Sequence, residues 1–168
     1  MPLEGPPVKR LEVSIFTDQF QFSGELEVTG QPLRFINDTR RQSLSLHNAQ
    51  LQPLTPGVPL NGFSVDSVVV RRHQIIALYF HSDEVRSSIR TLRRTELLVA
   101  YTPVCVCRAR FHMADEANIN DFLEDTRASL MPITEAKIFP LTEFPAPFPM
   151  EPDLLLIGKD HLQCYHKT

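Results

Sequence analysis

Two cysteines, Cys105 and Cys107, stand either side of Val106. On an extended strand, residues two apart face the same way, so these two sulfurs could together hold zinc or copper. Six histidines, His47, His73, His81, His112, His161 and His166, add imidazole ligands, but none has HExxH or comparable ligand spacing. They are read as surface or turn residues. A third pattern is the triplet Asp38-Thr39-Arg40, which recurs as Asp125-Thr126-Arg127. A carboxylate beside a guanidinium could serve acid/base chemistry or bind an anion. Short Asp and Thr side chains also accept hydrogen bonds from nearby amides and so build turns. The turn is the preferred reading, with Arg40 and Arg127 paired to neighbouring carboxylates. There is no GxSxG elbow and no glycine-rich phosphate loop in a chain with 6 glycines. No catalytic, cofactor-binding or metal site is assigned.

The repeated triplet belongs to a longer self-similarity. Sliding the chain on itself by 87 positions gives 8 identities in the 21 positions from 35 to 55, beginning with Phe35 on Phe122 and ending with Pro53-Leu54-Thr55 on Pro140-Leu141-Thr142. Chance would give about one or two. The conservative pairs Leu44/Met131, Leu46/Ile133 and Leu51/Ile138 keep the apolar pattern in step. Upstream, Phe16-Thr17 falls on Tyr101-Thr102 at a shift of 85, which implies a two-residue insertion in a turn. Downstream, VVVRRHQIIALYFH at 68–81 matches LLLIGKDHLQCYH at 154–166. The pattern is that of a tandem duplication. It predicts an N-terminal tail at 1–9, a first β module at 10–81, a connecting helix at 82–94 and a second β module at 95–168.

Within each copy the apolar residues follow a strand period. Phe20, Phe22, Gly24, Leu26 and Val28 alternate with polar neighbours. Leu44 and Leu46 do the same, and the parity then slips to Ala49 and Leu51. The second copy slips identically, from Met131 and Ile133 to Ala136 and Ile138, which predicts a bulge in both. About five short strands per copy suggest a small barrel or rolled sheet. Under the shift of 85, Cys105 and Cys107 fall on Phe20 and Phe22. That makes them small buried hydrophobes rather than ligands.

Between the copies, Ser82 is an N-cap followed by acidic Asp83 and Glu84, with Val85, Ile89 and Leu92 at helical spacing. Arg86, Arg90 and Arg93 would then form a stripe beside the apolar face. Two proline-rich connections, PLTPGVPLNGF and PLTEFPAPFPMEPD, hold equivalent places, and Phe144 and Phe148 in the second are candidates for a partner-binding loop.

With a net charge of -3 and 42% hydrophobic residues, the chain has an ordinary globular composition with no broad attraction to polyanions. Residues 1–100 carry 11 basic and 10 acidic side chains, and 101–168 carry 6 and 10. No apolar run is long enough to cross a membrane as a helix, and MPLEGPPVKRLEV lacks the apolar stretch of a signal peptide. Three cysteines, two of them almost adjacent, do not build a disulfide framework. A cytoplasmic location follows as the expectation.

INDFLEDTRASLMPITEAKIF followed by LLLIGKDHLQCY resembles a bacterial family of small β modules of unknown function. FINDTRR, LHNA and RRHQI in the first copy keep the same outline. SLSLHNAQL and VVVRRHQII are more distantly similar to the Sm-like fold, around its second-to-third strands and its last strand pair. The resemblance implies a mainly β protein of two tandem Sm-like barrel modules joined by a short helix. It also raises single-stranded RNA, although the Arg-Gly turn used for it is replaced here by Arg71-Arg72 and Gly158-Lys159. Candidate anion or RNA contacts are Arg40, Arg71, Arg72, Arg86, Arg90, Arg127 and Lys159. The leading expectation is a non-catalytic interaction or scaffold protein that binds a protein partner or itself. RNA binding is the alternative, and a small-ligand binder or enzyme with an inter-module pocket is the third. No cofactor, metal or membrane partner is expected.

Overall fold

The computed structural model describes residues 4–168, and these form one ten-stranded antiparallel sheet with a few short helices. The predicted tail at 1–9 lies outside the described residues at 1–3, and it ends early because strand β1 (Val8–Phe16) already includes Val8 and Lys9. The first half continues with β2 (Phe20–Thr29), helix α1 (Pro32–Ile36), β3 (Ser43–Pro53), β4 (Phe63–Arg71) and β5 (Ala77–Phe80). Helix α2 (Asp83–Ser88) leads to β6 (Arg94–Tyr101), β7 (Cys105–Met113), helix α3 (Ile119–Asp125), β8 (Leu130–Pro140), β9 (Leu154–Gly158) and β10 (Cys164–Lys167). Among the described residues, no helix is long and apolar enough to cross a membrane.

The strands lie in the order β10-β6-β7-β8-β9-β5-β1-β2-β3-β4. Each half therefore has its fifth strand beside its first, and its first four in succession. The two halves meet where the fifth strand of one lies against the fourth of the other, with Ala77 opposite Ile157 and Leu78 opposite Leu156. At this joint the Gly158 amide donates to the Ile76 carbonyl at 2.7 Å. A Cβ on Gly158 would lie 2.3 Å from the Ile75 carbonyl oxygen, so the close approach requires glycine.

The predicted bulges are present at matching places. In β3, Leu44, Leu46, Ala49 and Leu51 face the core, and Asn48 between them has φ 48°. Glu25 lies opposite His47 but Ser23 opposite Gln50, so one extra residue is inserted. In β8 the extra residue is Glu135, at φ 50°, between Thr134 opposite Arg110 and Lys137 opposite Arg108. Positions 48 and 135 are 87 apart, the shift that gives the 8 identities between 35–55 and 122–142.

Two apolar clusters fill the molecule, and each takes residues from both halves. Leu130, Leu154 and Leu156 pack with the side chains of the first half, while Phe16, Leu54, Ile76 and Ala77 pack with those of the second.

The helix predicted at 82–94 is realised only over Asp83–Ser88. Its start is as the sequence indicates, because the Ser82 hydroxyl accepts from the Val85 amide at 3.3 Å. It stops at Ile89, whose backbone is extended. The remaining residues span the distance to β6, and Leu92 is left exposed. Arg86, Arg90 and Arg93 consequently form no helical stripe.

Candidate interaction edges

The sheet has two open edges, β4 and β10, because a linear order of strands must end somewhere. Their exposure is best judged against their counterparts in the other half. Sequence and turn positions align Ser67–Arg71 with Leu154–Gly158, and Ala77–Phe80 with Cys164–Lys167. All five residues of β9 are buried, whereas Ser67, Val69 and Arg71 on β4 are exposed. Leu156 is 0% exposed and its counterpart Val69 is 59% exposed. Similarly, β5 is buried at three of its four positions, and β10 at none.

Polarity along β4 is set by its pairing with β3. The Arg72 amide donates to the Gln42 carbonyl at 3.0 Å. Residues 68 and 70 share that orientation, so the amides and carbonyls of Val69 and Arg71 face the open side. Next to them lies the proline-rich connection of the first half, with Val58 and Leu60 exposed and Phe63 at the strand entrance 41% exposed.

The proline-rich connection of the second half is already engaged. Phe144 and Phe148 pack on Phe16 with ring centroids 4.5 and 4.9 Å away, and Phe148 also meets Tyr79 at 5.6 Å. Gln21 fixes this segment by accepting from the Ala146 amide at 3.1 Å and donating to its carbonyl at 3.2 Å. The expected partner loop is thus an internal strap across the joint.

The candidate cations divide into engaged and free groups. Arg72 is buried and donates to the Asp38 carbonyl oxygen. Arg86 is buried too, with Nη1 on the carbonyls of Phe80 and His81 at 2.7 and 2.9 Å, Nε on Asp153 at 2.7 Å and Nη2 on Asp83. Its guanidinium also lies 4.9 Å from the centre of the Tyr79 ring. Lys159 Nζ donates to the Thr126 carbonyl at 2.6 Å. Arg40 is exposed and folds back on Asp38, whose carboxylate also accepts from the Arg40 amide at 3.0 Å. The Arg40 hydrogen bonds hold the Asp38 carboxyl at about 2. Arg71, at the end of β4, and Arg90 and Arg127, in the connections after α2 and α3, are exposed. Because Arg72 and Arg86 are buried, the seven cations do not all stand on one exposed surface.

Cys105 and Cys107 are buried in the second cluster. Burial pushes the Cys107 thiol up to about 12, and raises that of Cys105. Among the described residues, no group of three or more His, Cys, Asp and Glu is placed to hold a metal ion.

The edge residues, above all Val69, were not identified from the sequence as a site. Val68-Val69-Val70 is a valid strand signal in either a central or an outer strand. Which strand lies outermost depends on contacts between the halves.

No family model, curated protein or solved structure matches this chain.

Proposed function

We propose that the chain is a non-catalytic interaction protein, built from duplicated Sm-like β modules, that binds a protein partner or itself through its open sheet edges. The carrying observation is the nine-residue edge strand β4, with Val69 59% exposed where the equivalent Leu156 is wholly covered. An unpaired edge offers a row of backbone donors and acceptors, and an added strand satisfies them while covering the apolar side chains. The repeated strand order and the two bulges 87 residues apart support the reading as modules used twice. RNA is the weaker partner. Arg72, Arg86 and Lys159 are held by carbonyls and carboxylates within the chain, and Arg40 by Asp38.

The test is a comparison of the native chain with Val69→Lys by light scattering after chromatography and by chemical cross-linking in lysate. The native chain is expected to associate or to retain a specific protein, and V69K to lose that contact while keeping its circular dichroism. A native chain that stays monomeric at high concentration and retains no protein contradicts the proposal.

A further inference from the structure

The two open edges are the two faces of a contact that the molecule already makes once. Inside the chain, a fifth strand (β5) lies against a fourth strand (β9). At the ends of the sheet, a fourth strand (β4) and a fifth strand (β10) lie open. We infer that β10 of one copy pairs antiparallel with β4 of a second copy, so that chains join head to tail by repeating the internal joint.

The register follows from the internal one. Ala77 opposite Ile157 becomes Cys164 opposite Val70, and Leu78 opposite Leu156 becomes Tyr165 opposite Val69. The bond from the Gly158 amide to the Ile76 carbonyl becomes one from the Arg71 amide to the Gln163 carbonyl. Two exposures match what this contact would cover. Leu78 and Leu156 are each 0% exposed inside the chain, whereas Val69 is 59% exposed and Tyr165 half-buried. The strap formed by Phe144 and Phe148 lies on Phe16 and Tyr79, which correspond to Tyr101 and His166 near the outer edge. The corresponding loop of the first half presents Val58 and Leu60 to solvent.

The outer joint is a weaker version of the inner one. Gly158 allows the inner strands to meet within a distance that a Cβ would violate, and Arg71 holds the equivalent place in β4. The outer strands must stand further apart at that end, and the contact rests more on Tyr165 and Val69. Reversible association is the consequence. A head-to-tail contact leaves one open edge at each end of every assembly, so growth ends only when a ring closes.

This inference rests on the proposed edge-binding function and specifies its occupant. The full chain is examined by light scattering and sedimentation over a range of concentrations, with reductant present so that a disulfide through Cys164 contributes nothing. Native chain is expected to grow in average mass with concentration. Val69→Lys and Tyr165→Lys, each folded by circular dichroism, weaken this by about tenfold or more, because each places a charge in the joint and the two lysines would repel where both meet. Mixed in equal amounts they form a capped dimer, since one retains a competent β10 and the other a competent β4. Arg71→Gly strengthens association. Tyr165→Lys dimerising by itself, or a mixture no heavier than its components, overturns the head-to-tail pairing while leaving edge binding intact. A monomeric native chain whose β4 retains a different protein likewise overturns only the present inference. A monomer without any β4 partner overturns both.

Discussion

At the scale of single residues, burial decides which chemical groups remain available. Cys105 and Cys107 have the spacing of a ligand pair, yet each points into the apolar cluster of the second half. Desolvation disfavours the thiolate, and the neighbouring Cys105 raises the Cys107 thiol further, to about 12. Only the thiolate reacts readily with a disulfide reagent. At mildly alkaline pH the native chain should therefore label at Cys164 alone, and at all three cysteines once denatured. Rapid labelling of three thiols in the native chain contradicts the burial. The sign of the linkage is also fixed. The unfolded chain loses its thiol protons near 9.0 while folded Cys107 keeps its proton to about 12, so this group removes stability as pH rises through that window. Arg86 illustrates the same rule for a cation. It is buried because two carbonyls and two carboxylates receive its donors, and it ties helix α2 to Asp153 in the other half.

Among the elements, the joint between β5 and β9 depends on one missing side chain. Gly158 faces the Ile75 carbonyl so closely that a methyl group cannot be added without separating the strands. Gly158→Ala should cost about 1–3 kcal/mol, as overpacked sites do. Gly62→Ala is the control, because its new Cβ would meet the flexible Gln52 side chain at 3.1 Å and the Leu51 carbonyl oxygen at 3.4 Å, an ordinary van der Waals distance. Urea unfolding of the two variants measures the difference, and equal midpoints would refute the role given to Gly158. Much at this scale was legible in the sequence. The alternation in β2, the parity slip in β3 and β8, and the Ser82 cap each rest on local backbone geometry. The length of helix α2 was not legible, because Ile89 and Leu92 keep helical spacing in a segment that tertiary connection holds extended.

For the whole molecule, the consequence of the joint is that neither half owns its core. Leu154 and Leu156 complete the first cluster, and Phe16, Leu54 and Ile76 complete the second. Unfolding one half would strip apolar cover from the other, so the two should lose structure together. Calorimetry is expected to show one transition with calorimetric and van't Hoff enthalpies in agreement. Two resolved transitions would mean that the halves are independent. The same interpenetration explains why Phe144 and Phe148, placed by sequence in a partner loop, pack partly buried against the second cluster.

By itself the sequence determined the strand periods, the repeated bulge, the turn at Asp38 and the inward direction of the two cysteines, whereas the matching Asp125 ends helix α3 instead of forming the same turn. Each follows from relations between residues close in the chain, or from self-comparison of its two halves. Tertiary structure alone decided which strands became edges, which of the arginines were enclosed, and which proline-rich connection stayed free. These depend on the contact between β5 and β9, made by segments about 80 residues apart. Val69 and Leu156 have similar side chains on equivalent strands, and only the neighbour across the sheet leaves one in water and the other in the core.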